Sequence, residues 1–410
     1  MGILTDKSIV VGVSGGIAAY KAAELVRLLT AAGARVHVMM TRNAQEFITP
    51  LTLQTLSMNP VATETFSLTQ ESEIGHIRLA DTADAIVIAP ASADIIAKAA
   101  HGIADDLVTT VLLAARCPVA FAPAMNVHMY ENPAVAENIG KLRARGVTIV
   151  EAAVGELACG YEGKGRLPEP AFIVEELTRM LSPHDLEGER ILVTAGPTQE
   201  AIDPVRFVSN RSTGKMGFAI ARAAWRRAAS VRLISGPSAL PAPYGVERIE
   251  VISAADLLGA TASNFAWCSA LVMAAAVADF RPVQSAPHKL KKNPEGLTLR
   301  MAAIADELPR LAEHKGDRIV IGFAAETEDL EVNAAEKLRR KQLDFIVAND
   351  VSRSDAGFAV DTNIVTIVSA DGHRQTTPKL SKDEVADVIL NQLLTQRAQR
   401  QSSAPLERLH

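Results

Sequence analysis

The feature that most constrains the fold is a strand–loop–helix sequence that occurs twice, once in each half of the chain. The first copy runs from the apolar segment 8–13 through the loop Ser14–Gly16 into an alanine-rich helical segment. The second runs from 190–194 through a longer loop into a helix predicted to begin at Lys215. At such a turn the first backbone N–H groups of the helix are unpaired and lie at the positive end of its dipole. Each half is therefore predicted to bind a phosphate-bearing ligand, which suggests two activities in one polypeptide.

Continuous apolar segments alternate with helical segments along both halves, and 410 residues are too many for one ordinary core. Strands without polar interruption are typical of a parallel sheet covered by helices on both faces. In the first half we predict strands at 8–13, 35–40, 85–89, 118–122 and 147–150, and helices at 18–32, 43–57, 92–100, 105–115 and 127–144. In the second half we predict strands at 190–194, 231–235, 248–252, 268–275, 318–323, 343–348 and 363–368, and helices at 215–229, 254–266, 304–315, 329–342 and 382–396. The sequence therefore indicates an α/β fold with two doubly wound, mostly parallel sheet domains.

A break in this alternation separates the two domains. Residues 151–170 are rich in glycine and proline, a helix is predicted at 171–181, and a polar segment follows. We predict a first domain at 1–181, a linker at 182–189, a second domain at 190–398 and a frayed polar tail at 399–410.

The composition excludes several classes of protein. The formal net charge is −5 and only 4% of residues are aromatic, so no basic, aromatic-lined surface for nucleic acid is expected. No apolar run has the length of a membrane span, and the first strand begins too early to leave room for a signal peptide. The three cysteines share no metal-ligand spacing. We expect a cytoplasmic protein without nucleic-acid or membrane partners.

Two well-known phosphate-binding motifs are absent. The loop with Gly15 and Gly16 does not fit G-x-G-x-x-G, and the second loop has Ser209 and Met216 where a P-loop requires Gly and Ser or Thr. The first loop remains a candidate phosphate cradle, because Ser14 offers a hydroxyl and a helix N-terminus follows it. A tight structural turn explains the same residues equally well.

Three residues in the first half have settings that suggest chemistry. Asn126 follows an apolar strand, where ligands bind in open α/β sheets. Cys159 lies in a glycine-rich segment that can close like a lid, and His76 follows Gly75. Taken singly, they are more simply a helix cap, a structural cysteine and a surface histidine. Together with their neighbours they resemble the flavin-dependent cysteine decarboxylase family, in the segments Ala89-Pro90-Ala91-Ser92-Ala93-Asp94, Ala97-Lys98, Gly102-Ile103-Ala104-Asp105-Asp106-Leu107, Pro123-Ala124-Met125-Asn126 and Ala158-Cys159-Gly160.

This resemblance implies a flavodoxin-like domain that binds FMN and decarboxylates an N-acylcysteine. Loss of CO₂ alone would leave an unstabilised carbanion, whereas a flavin can first oxidise the CH₂–SH arm to a thioaldehyde and later reduce the enethiol that decarboxylation forms. The family implies that His76 is the base near the substrate thiol, that Asn126 holds the carboxylate and that Cys159 donates a proton. The FMN contacts that it implies are Ser14, Gly15, Gly16, Thr41 and Ser92.

The second half offers polar residues around a helix start. Arg206, Asn210 and Lys215 are suited to contact an anion or a carboxylate, although singly each is more often a cap or a solvated side chain. Residues 190–370 as a whole resemble phosphopantothenate–cysteine ligase. The matching segments are 194–198, Ile202-Asp203-Pro204-Val205-Arg206, 210–217, Ala274-Ala275-Ala276-Val277-Ala278-Asp279-Phe280, 289–292, 322–327, 337–341 and 346–349.

The fused pair is similar to the bifunctional bacterial enzymes of coenzyme A synthesis. This implies that CTP activates 4′-phosphopantothenate to an acyl-cytidylate and that L-cysteine then displaces CMP, with Mg²⁺ and lysines neutralising the developing charge. Asn210 would contact the acyl-cytidylate, and Lys289 would act in its formation, although a lysine cluster is usually a solvated charge run. The CTP contacts implied are Asp279, Lys289, Asp306, Phe323, Lys337 and Lys341, with Asp279 also a candidate Mg²⁺ ligand.

Three alternatives stay open at this point. The first is that the flavin domain is a non-catalytic binding module. The second is a flavin prenyltransferase, which has the same fold. The third is a pair of Rossmann-like dehydrogenase domains, in which strands and helices would alternate along the chain in the same way. The joint presence of His76, Asn126 and Cys159 argues against the first alternative. The P-A-M-N and A-C-G segments and the fused ligase half argue against the second, and the missing dinucleotide motif argues against the third. The family resemblance also implies a homo-oligomer, plausibly a dodecamer built from trimeric FMN domains and dimeric ligase domains.

Overall fold

The computed structural model describes residues 2–65, 75–156, 162–292, 294, 296–305, 314–326, 330–350 and 360–403. It divides into two compact units, Met1–Ser182 and Pro183–His410. Each unit is built around its own sheet and is described separately.

The first unit contains a six-stranded sheet in which all neighbouring strands are parallel. Its strands are β1 (Ser8–Val13), β2 (Arg35–Met40), β3 (Val61–Ala62), β4 (Ala85–Ala91), β5 (Val119–Pro123) and β6 (Thr148–Ile149). The order across the sheet is β3-β2-β1-β4-β5-β6. Without the two-residue edge strand β3, this is the 2-1-3-4-5 order of flavodoxin-like sheets. The predicted doubly wound class is thus confirmed for this unit.

Helices cover both faces of this sheet, and apolar residues of its strands are buried on each face. In β1, Ile9 and Val11 belong to one buried cluster, and Val10 belongs to another on the opposite face. The helices are α1 (Lys21–Ala31), α2 (Pro50–Ser57), α3 (Gly75–Thr82), α4 (Ala93–His101), α5 (Leu107–Ala114), α6 (Val127–Tyr130), α7 (Pro133–Ala144) and α8 (Pro170–Leu181). Short 3₁₀ helices lie at Ile17–Tyr20 and Arg42–Glu46.

Two predicted helices of this unit are divided, in both cases at a proline. The helix predicted at 43–57 is a 3₁₀ turn followed by α2, which begins at Pro50. The helix predicted at 127–144 is α6 followed by α7, which begins at Pro133 and is capped by the Asn132 side chain. Proline is favoured in the first turn of a helix and disfavoured inside one, so each proline marks a new start. Helix α3 was not predicted, and neither was the antiparallel hairpin of β7 (Ala153–Glu156) and β8 (Glu162–Arg166).

The second unit contains an eight-stranded, mostly parallel sheet. Its strands are β9 (Arg190–Ala195), β12 (Ser230–Ser235), β13 (Glu247–Glu250), β14 (Ala270–Met273), β17 (Ile319–Glu326), β18 (Phe345–Asp350), β20 (Val365–Ser369) and β21 (Arg374–Thr376). The order is β13-β12-β9-β14-β17-β18-β20-β21, and only the last two pairings are antiparallel. The six parallel strands follow the 3-2-1-4-5-6 order of a Rossmann-like sheet, as predicted.

Smaller elements surround this sheet. Three two-stranded pairs join β10 (Gln199–Ala201) to β11 (Phe207–Ser209), β15 (Phe280–Pro282) to β16 (Met301–Ala303), and β19 (Thr362–Asn363) to β22 (Leu380–Ser381). The helices in the described part of this unit are α9 (Lys215–Arg226), α10 (Ala254–Phe265), α11 (Leu330–Arg340) and α12 (Lys382–Ser403). Helix α12 extends beyond its predicted end at 396, and most of the helix predicted at 304–315 lies outside the described residues. Within the described ranges, no helix combines the length and the hydropathy needed to cross a bilayer.

Candidate active sites

Four of the predicted site residues of the first unit follow the ends of four neighbouring strands. Thr41 follows β2, Ser14 follows β1, Ser92 follows β4, and Asn126 lies three residues after the end of β5 at Pro123. These strands are adjacent and parallel, so all four residues lie at the same edge of the sheet. This carboxyl edge is where doubly wound sheets bind their ligands.

Ser14 and Ser92 are joined directly at this edge. The buried Ser14 hydroxyl donates to the carbonyl oxygen of Pro90 (2.8 Å) and accepts from the backbone N–H of Ser92 (2.9 Å). The Ser92 hydroxyl in turn accepts from the N–H of Ile95 and caps α4. Ser14 therefore links the β1 and β4 loops, and only its remaining lone pair is available to a ligand.

The two glycines after Ser14 differ in what surrounds them. A Cβ atom on Gly15 would lie 2.5 Å from Cβ of Asn43, so only glycine lets this loop approach the segment after β2. A Cβ atom on Gly16 would meet nothing within 4 Å. The Thr41 side chain accepts a hydrogen bond from the N–H of Ala44 and caps the 3₁₀ helix Arg42–Glu46, which follows it. The loop thus presents backbone at an open position next to two helix starts, which fits a phosphate group.

His76 lies in the first turn of α3 and has an unusual ring nitrogen. Its Nδ1 atom is buried and has no hydrogen-bond partner in the part of the chain that the structure describes. Helix α3 leads into the amino end of β4, so its first turn lies toward the carboxyl edge of the sheet. Buried polar atoms in native proteins are nearly always paired, and an unpaired one points to a missing ligand or a catalytic role.

Asn126 is fixed by a helix cap and by the neighbouring hairpin. Its Oδ1 atom accepts from the N–H of His128 (2.9 Å) at the start of α6. The N–H of the preceding Met125 donates to the carbonyl oxygen of Gly165 in β8 (2.9 Å). A Cβ atom on Gly163 would lie 2.7 Å from Cγ2 of Val127, so β8 packs closely on this loop. Cys159 lies outside the described residues, between β7 and β8 in the sequence.

In the second unit, glycines allow α9 to begin against the end of β9. A Cβ atom on Gly217 would lie 2.5 Å from Cβ of Ala195. Gly214 has φ +81°, and a Cβ atom there would lie 3.2 Å from the backbone nitrogen of Gly196. The close approach of strand end and helix start is the arrangement that doubly wound folds use around phosphates. The Nζ atom of Lys215, the first residue of α9, is paired with Asp361 at 2.6 Å.

Asn210 joins this loop to the segment after β14. Its Nδ2 atom donates to the carbonyl oxygens of Ala276 (3.0 Å) and Val277 (3.1 Å), which fixes the orientation of the amide. Its Oδ1 atom therefore faces away from those carbonyls and can accept from a ligand. Strand β14 ends at Met273, before the predicted end at 275, and Asp279 is exposed and lies directly before β15.

The segment that contains Lys289 is held by a buried carboxylate. The Asp203 side chain is fully buried and accepts from the backbone N–H groups of Val205 (2.8 Å), Arg206 (2.9 Å) and Leu290 (3.1 Å). The guanidinium of Arg206 also pairs with Asp203 and donates to the carbonyl oxygen of Leu290 (2.6 Å). The Arg206 hydrogen bond, and then those backbone N–H groups, hold the pKa of the Asp203 carboxyl well below its usual range despite its burial. Lys289 itself is exposed.

Two of the remaining predicted nucleotide contacts, Phe323 and Lys337, lie on β17 and α11. Lys337 donates from Nζ to the carbonyl oxygen of Phe323 (2.8 Å), which connects the helix to the strand. Lys341 follows α11 four residues after Lys337, so the two side chains lie on one side of the helix axis. Asp306 lies outside the described residues. Among the residues that are described, no three His, Cys, Asp or Glu side chains are grouped to hold a metal ion.

The other two cysteines have no catalytic features. Burial raises the pKa of the Cys268 thiol to about 11, and it also raises the pKa of Cys117. Cys268 is buried and Cys117 is half-buried, and a thiol with a raised pKa is a poor nucleophile.

The contacts of Arg206 and Asp203 were not foreseen from the sequence. Arg206 was interpreted as suited to contact an anion or a carboxylate, and the carboxylate that it pairs with in the structure is that of Asp203. The segment 202–206 was part of the family match, but nothing in its sequence indicates that it binds Leu290. That contact spans 87 residues and depends on the fold.

Comparisons with known proteins follow the same division of the chain. The family described as "Flavoprotein" matches residues 3–182, and the family described as "DNA/pantothenate metabolism flavoprotein C-terminal domain" matches residues 186–396. "Coenzyme A biosynthesis bifunctional protein CoaBC" of Bacillus subtilis (strain 168) is 50% identical over 395 residues, which cover 95% of this chain and 97% of that protein. The protein of the same name in Escherichia coli (strain K12) is 44% identical over 397 residues, which cover 96% and 98% of the two chains.

Solved structures are similar to parts of this chain. The C-terminal domain of a coenzyme A biosynthesis bifunctional protein CoaBC is 42% identical, with a TM-score of 0.45 over 51% of this chain and 96% of that one. "The FMN binding protein AtHal3" is 31% identical, with a TM-score of 0.37 over 42% of this chain and 95% of that one.

Proposed function

The chain belongs to the family of bifunctional coenzyme A biosynthesis proteins, and we propose from this membership that its first unit is the decarboxylase and its second unit the ligase. The chain combines both activities of that family. The observation that carries the assignment is the match to relatives over about their whole length, with 97% of the Bacillus subtilis protein covered. The second unit would join 4′-phosphopantothenate to L-cysteine, and the first would decarboxylate the product to 4′-phosphopantetheine.

The carboxyl edge of the first sheet fits FMN. Gly15 and Gly16 present backbone beside helix starts for a phosphate. His76, whose Nδ1 has no partner among the described residues, lies in the first turn of α3, which is the turn toward this edge. When bound, a flavin would supply reversible two-electron oxidation of the carbon that bears the thiol. Thr41 and Ser92 would add hydroxyl contacts, whereas Ser14 would chiefly hold the β1 and β4 loops together.

The side chains of the first unit would position the substrate and move its protons. His76 would take the thiol proton on Nδ1, which has no partner among the described residues and can accept when the ring is neutral with its proton on Nε2. The Asn126 amide would donate to the substrate carboxylate. A neutral donor suits this role because a tight ion pair would stabilise the carboxylate that has to be lost. Cys159, in the sequence between β7 and β8, would return a proton in the last step.

In the second unit the loops after β9, β14 and β17 would hold the nucleotide and the acyl group. We expect CTP to contact Asp279, Phe323, Lys337 and Lys341, with Asp306 as a further contact outside the described residues. Asp279 fits Mg²⁺ only together with nucleotide phosphates, since one exposed carboxylate is a weak site alone, and the ion would neutralise phosphate charge. Lys289 would stabilise the developing negative charge as the acyl-cytidylate forms. Asn210 would bind the acyl-cytidylate through its outward-facing Oδ1.

The assembly and location are expected on chemical and family grounds. A homo-oligomer built from trimeric first units and dimeric second units would give a dodecamer. The cytoplasm holds CTP together with L-cysteine as a free thiol, and we propose it as the location.

The purified protein should be yellow. Its first unit has a backbone cradle for phosphate, so we expect a non-covalent flavin that is released by denaturation and identified as FMN by mass. The absorbance spectrum, scaled to protein, gives the occupancy. A colourless protein that takes up no FMN on incubation would contradict the cofactor assignment.

One incubation tests the reaction as a whole. Protein supplied with 4′-phosphopantothenate, L-cysteine, CTP and Mg²⁺ should yield 4′-phosphopantetheine, CMP, pyrophosphate and CO₂, as read by mass spectrometry. ATP in place of CTP should give much less product. Product formation without any nucleotide, or a product that retains the cysteine carboxylate in flavin-loaded protein, would contradict the proposal.

A further inference from the structure

We propose that Asp203 is a positioning residue for the ligase reaction, which acts by fixing the backbone beside Lys289. The proposal rests on the function proposed for Lys289 above. Its basis is a set of hydrogen bonds in which Asp203 and Arg206 together bind both the N–H and the carbonyl oxygen of Leu290.

We call the two side chains that bind Leu290, those of Asp203 and Arg206, the clamp. It lies in the turn that joins β10 to β11. This turn is closed by a hydrogen bond from the N–H of Ile202 to the carbonyl oxygen of Arg206 (2.8 Å). Asp203 is completely buried, and both of its oxygens accept hydrogen bonds, so the carboxylate is fully satisfied inside the turn. These donors compensate for the desolvation of the buried carboxylate, and removing one of them would destabilise the folded protein strongly.

The same turn binds the Lys289 segment at two points. The N–H of Ala286 donates to the carbonyl oxygen of Ile202 (2.9 Å), and Leu290 is bound by Asp203 and Arg206. Lys289 lies between these two points, next to the second, and its side chain is exposed. Its backbone is therefore held in place while its ammonium group extends toward solvent.

The hairpin also connects this clamp to Asn210. Asn210 directly follows β11, and its amide binds the carbonyl oxygens of Ala276 and Val277. A strand of three residues spans about 10 Å. The hairpin β10–β11 thus carries Asn210 at one end and the Asp203 clamp at the other, so it sets the separation between the two groups that we expect to act on the acyl-cytidylate. We infer that the clamp serves to keep Asn210 and Lys289 at a fixed separation.

The replacement Asp203→Asn tests the clamp with a minimal change in shape. Both oxygens of Asp203 accept from N–H donors, so an amide NH₂ in either position faces a donor instead of an acceptor. We expect CTP–pyrophosphate exchange in the full-length protein to slow by about 10- to 100-fold, because a displacement of about 1 Å at a catalytic group has effects of that size. Flavin content and decarboxylation of supplied 4′-phosphopantothenoylcysteine should stay unchanged.

A double-mutant cycle separates positioning from general stability. If Asp203 acts through Lys289, then Asp203→Asn should slow exchange by less than about two-fold in a Lys289→Gln background, since the two changes remove the same interaction. Equal slowing in both backgrounds would overturn the proposal. If Lys289→Gln alone leaves exchange unchanged, the role proposed for Lys289 fails, and the clamp proposal fails with it.

Asp344→Asn is the matched control. Asp344 is a buried carboxylate of the same unit that accepts from the N–H of Val320 (2.7 Å) and pairs with Lys315 and Arg400. It precedes β18, at the sheet edge opposite the site, so its replacement should lower the thermal midpoint without slowing exchange by the folded protein. If Asp203→Asn does not fold, the same double-mutant cycle with Lys289→Gln can be measured with Arg206→Lys. A single ammonium cannot replace the guanidinium contacts to Asp203 and Leu290 together, and unaltered exchange in that variant would overturn the proposal.

Discussion

Replacing His76 with glutamine should abolish decarboxylation while the ligase rate of the same protein stays within about two-fold. The ring nitrogen Nδ1 is buried without a partner among the described residues, so His76 has an acceptor free for a substrate proton. A positioned general base contributes about 10²- to 10⁴-fold to a rate. The glutamine side chain is similar in length but cannot accept a proton at neutral pH. We therefore expect a loss of at least about 100-fold.

The measurement supplies 4′-phosphopantothenoylcysteine directly and follows CO₂ and product, with flavin occupancy recorded for each variant. The matched control is His101→Gln. His101 is the exposed last residue of α4, and its ring bonds the carbonyl oxygen of Ala97 (2.9 Å). A normal rate in flavin-loaded His76→Gln would contradict the base role. Loss of flavin in parallel with activity would instead make His76 a cofactor contact.

Two strands of the first sheet could be predicted to the residue. The bounds predicted for β1 and β2 are those observed, because each is a mostly apolar segment that starts at a polar residue, Ser8 or Arg35, and is followed directly by another, Ser14 or Thr41. Helices were predicted less well. Prolines inside a periodic pattern were overlooked as starting points, and α3 was missed because few of its residues are buried, Ala80 among them.

The sequence could predict where the site of the first unit lies on the sheet, but it could not predict which of its residues form hydrogen bonds with one another. That Asn126 and Ser92 lie at one sheet edge follows from strands that are parallel, which the apolar pattern indicates. That Ser14 bonds Pro90 and Ser92 does not follow, since these residues are 76 and 78 positions away in sequence. Such contacts depend on the order of strands and on loop conformation, and neither is encoded in a local pattern. The family resemblance supplied candidate residues, and the structure shows which of them also have structural partners.

Asn210→Asp should reduce the ligase rate by about 100-fold and leave decarboxylation of supplied 4′-phosphopantothenoylcysteine unchanged, a loss typical of removing one placed polar group from an active site. The Nδ2 atom of Asn210 donates to the carbonyl oxygens of Ala276 and Val277. A carboxylate has no proton to donate, so its oxygen would face two carbonyl oxygens and be repelled by them. The side chain would turn away, and the loop before Asp279 would lose its connection to the α9 loop.

The two halves of the ligase reaction distinguish how Asn210 acts. If it binds the acyl-cytidylate, amide formation with L-cysteine should fall more than CTP–pyrophosphate exchange, because the intermediate is bound most closely in the second step. Asn264→Asp is the control, since its amide also donates to a backbone carbonyl, that of Ala260 (2.9 Å), within α10. There the carboxylate would still accept from Arg232, so we expect little change in either step. Equal loss of ligase and decarboxylase activity in Asn210→Asp would indicate misfolding, and an unaltered ligase rate would remove Asn210 from the site.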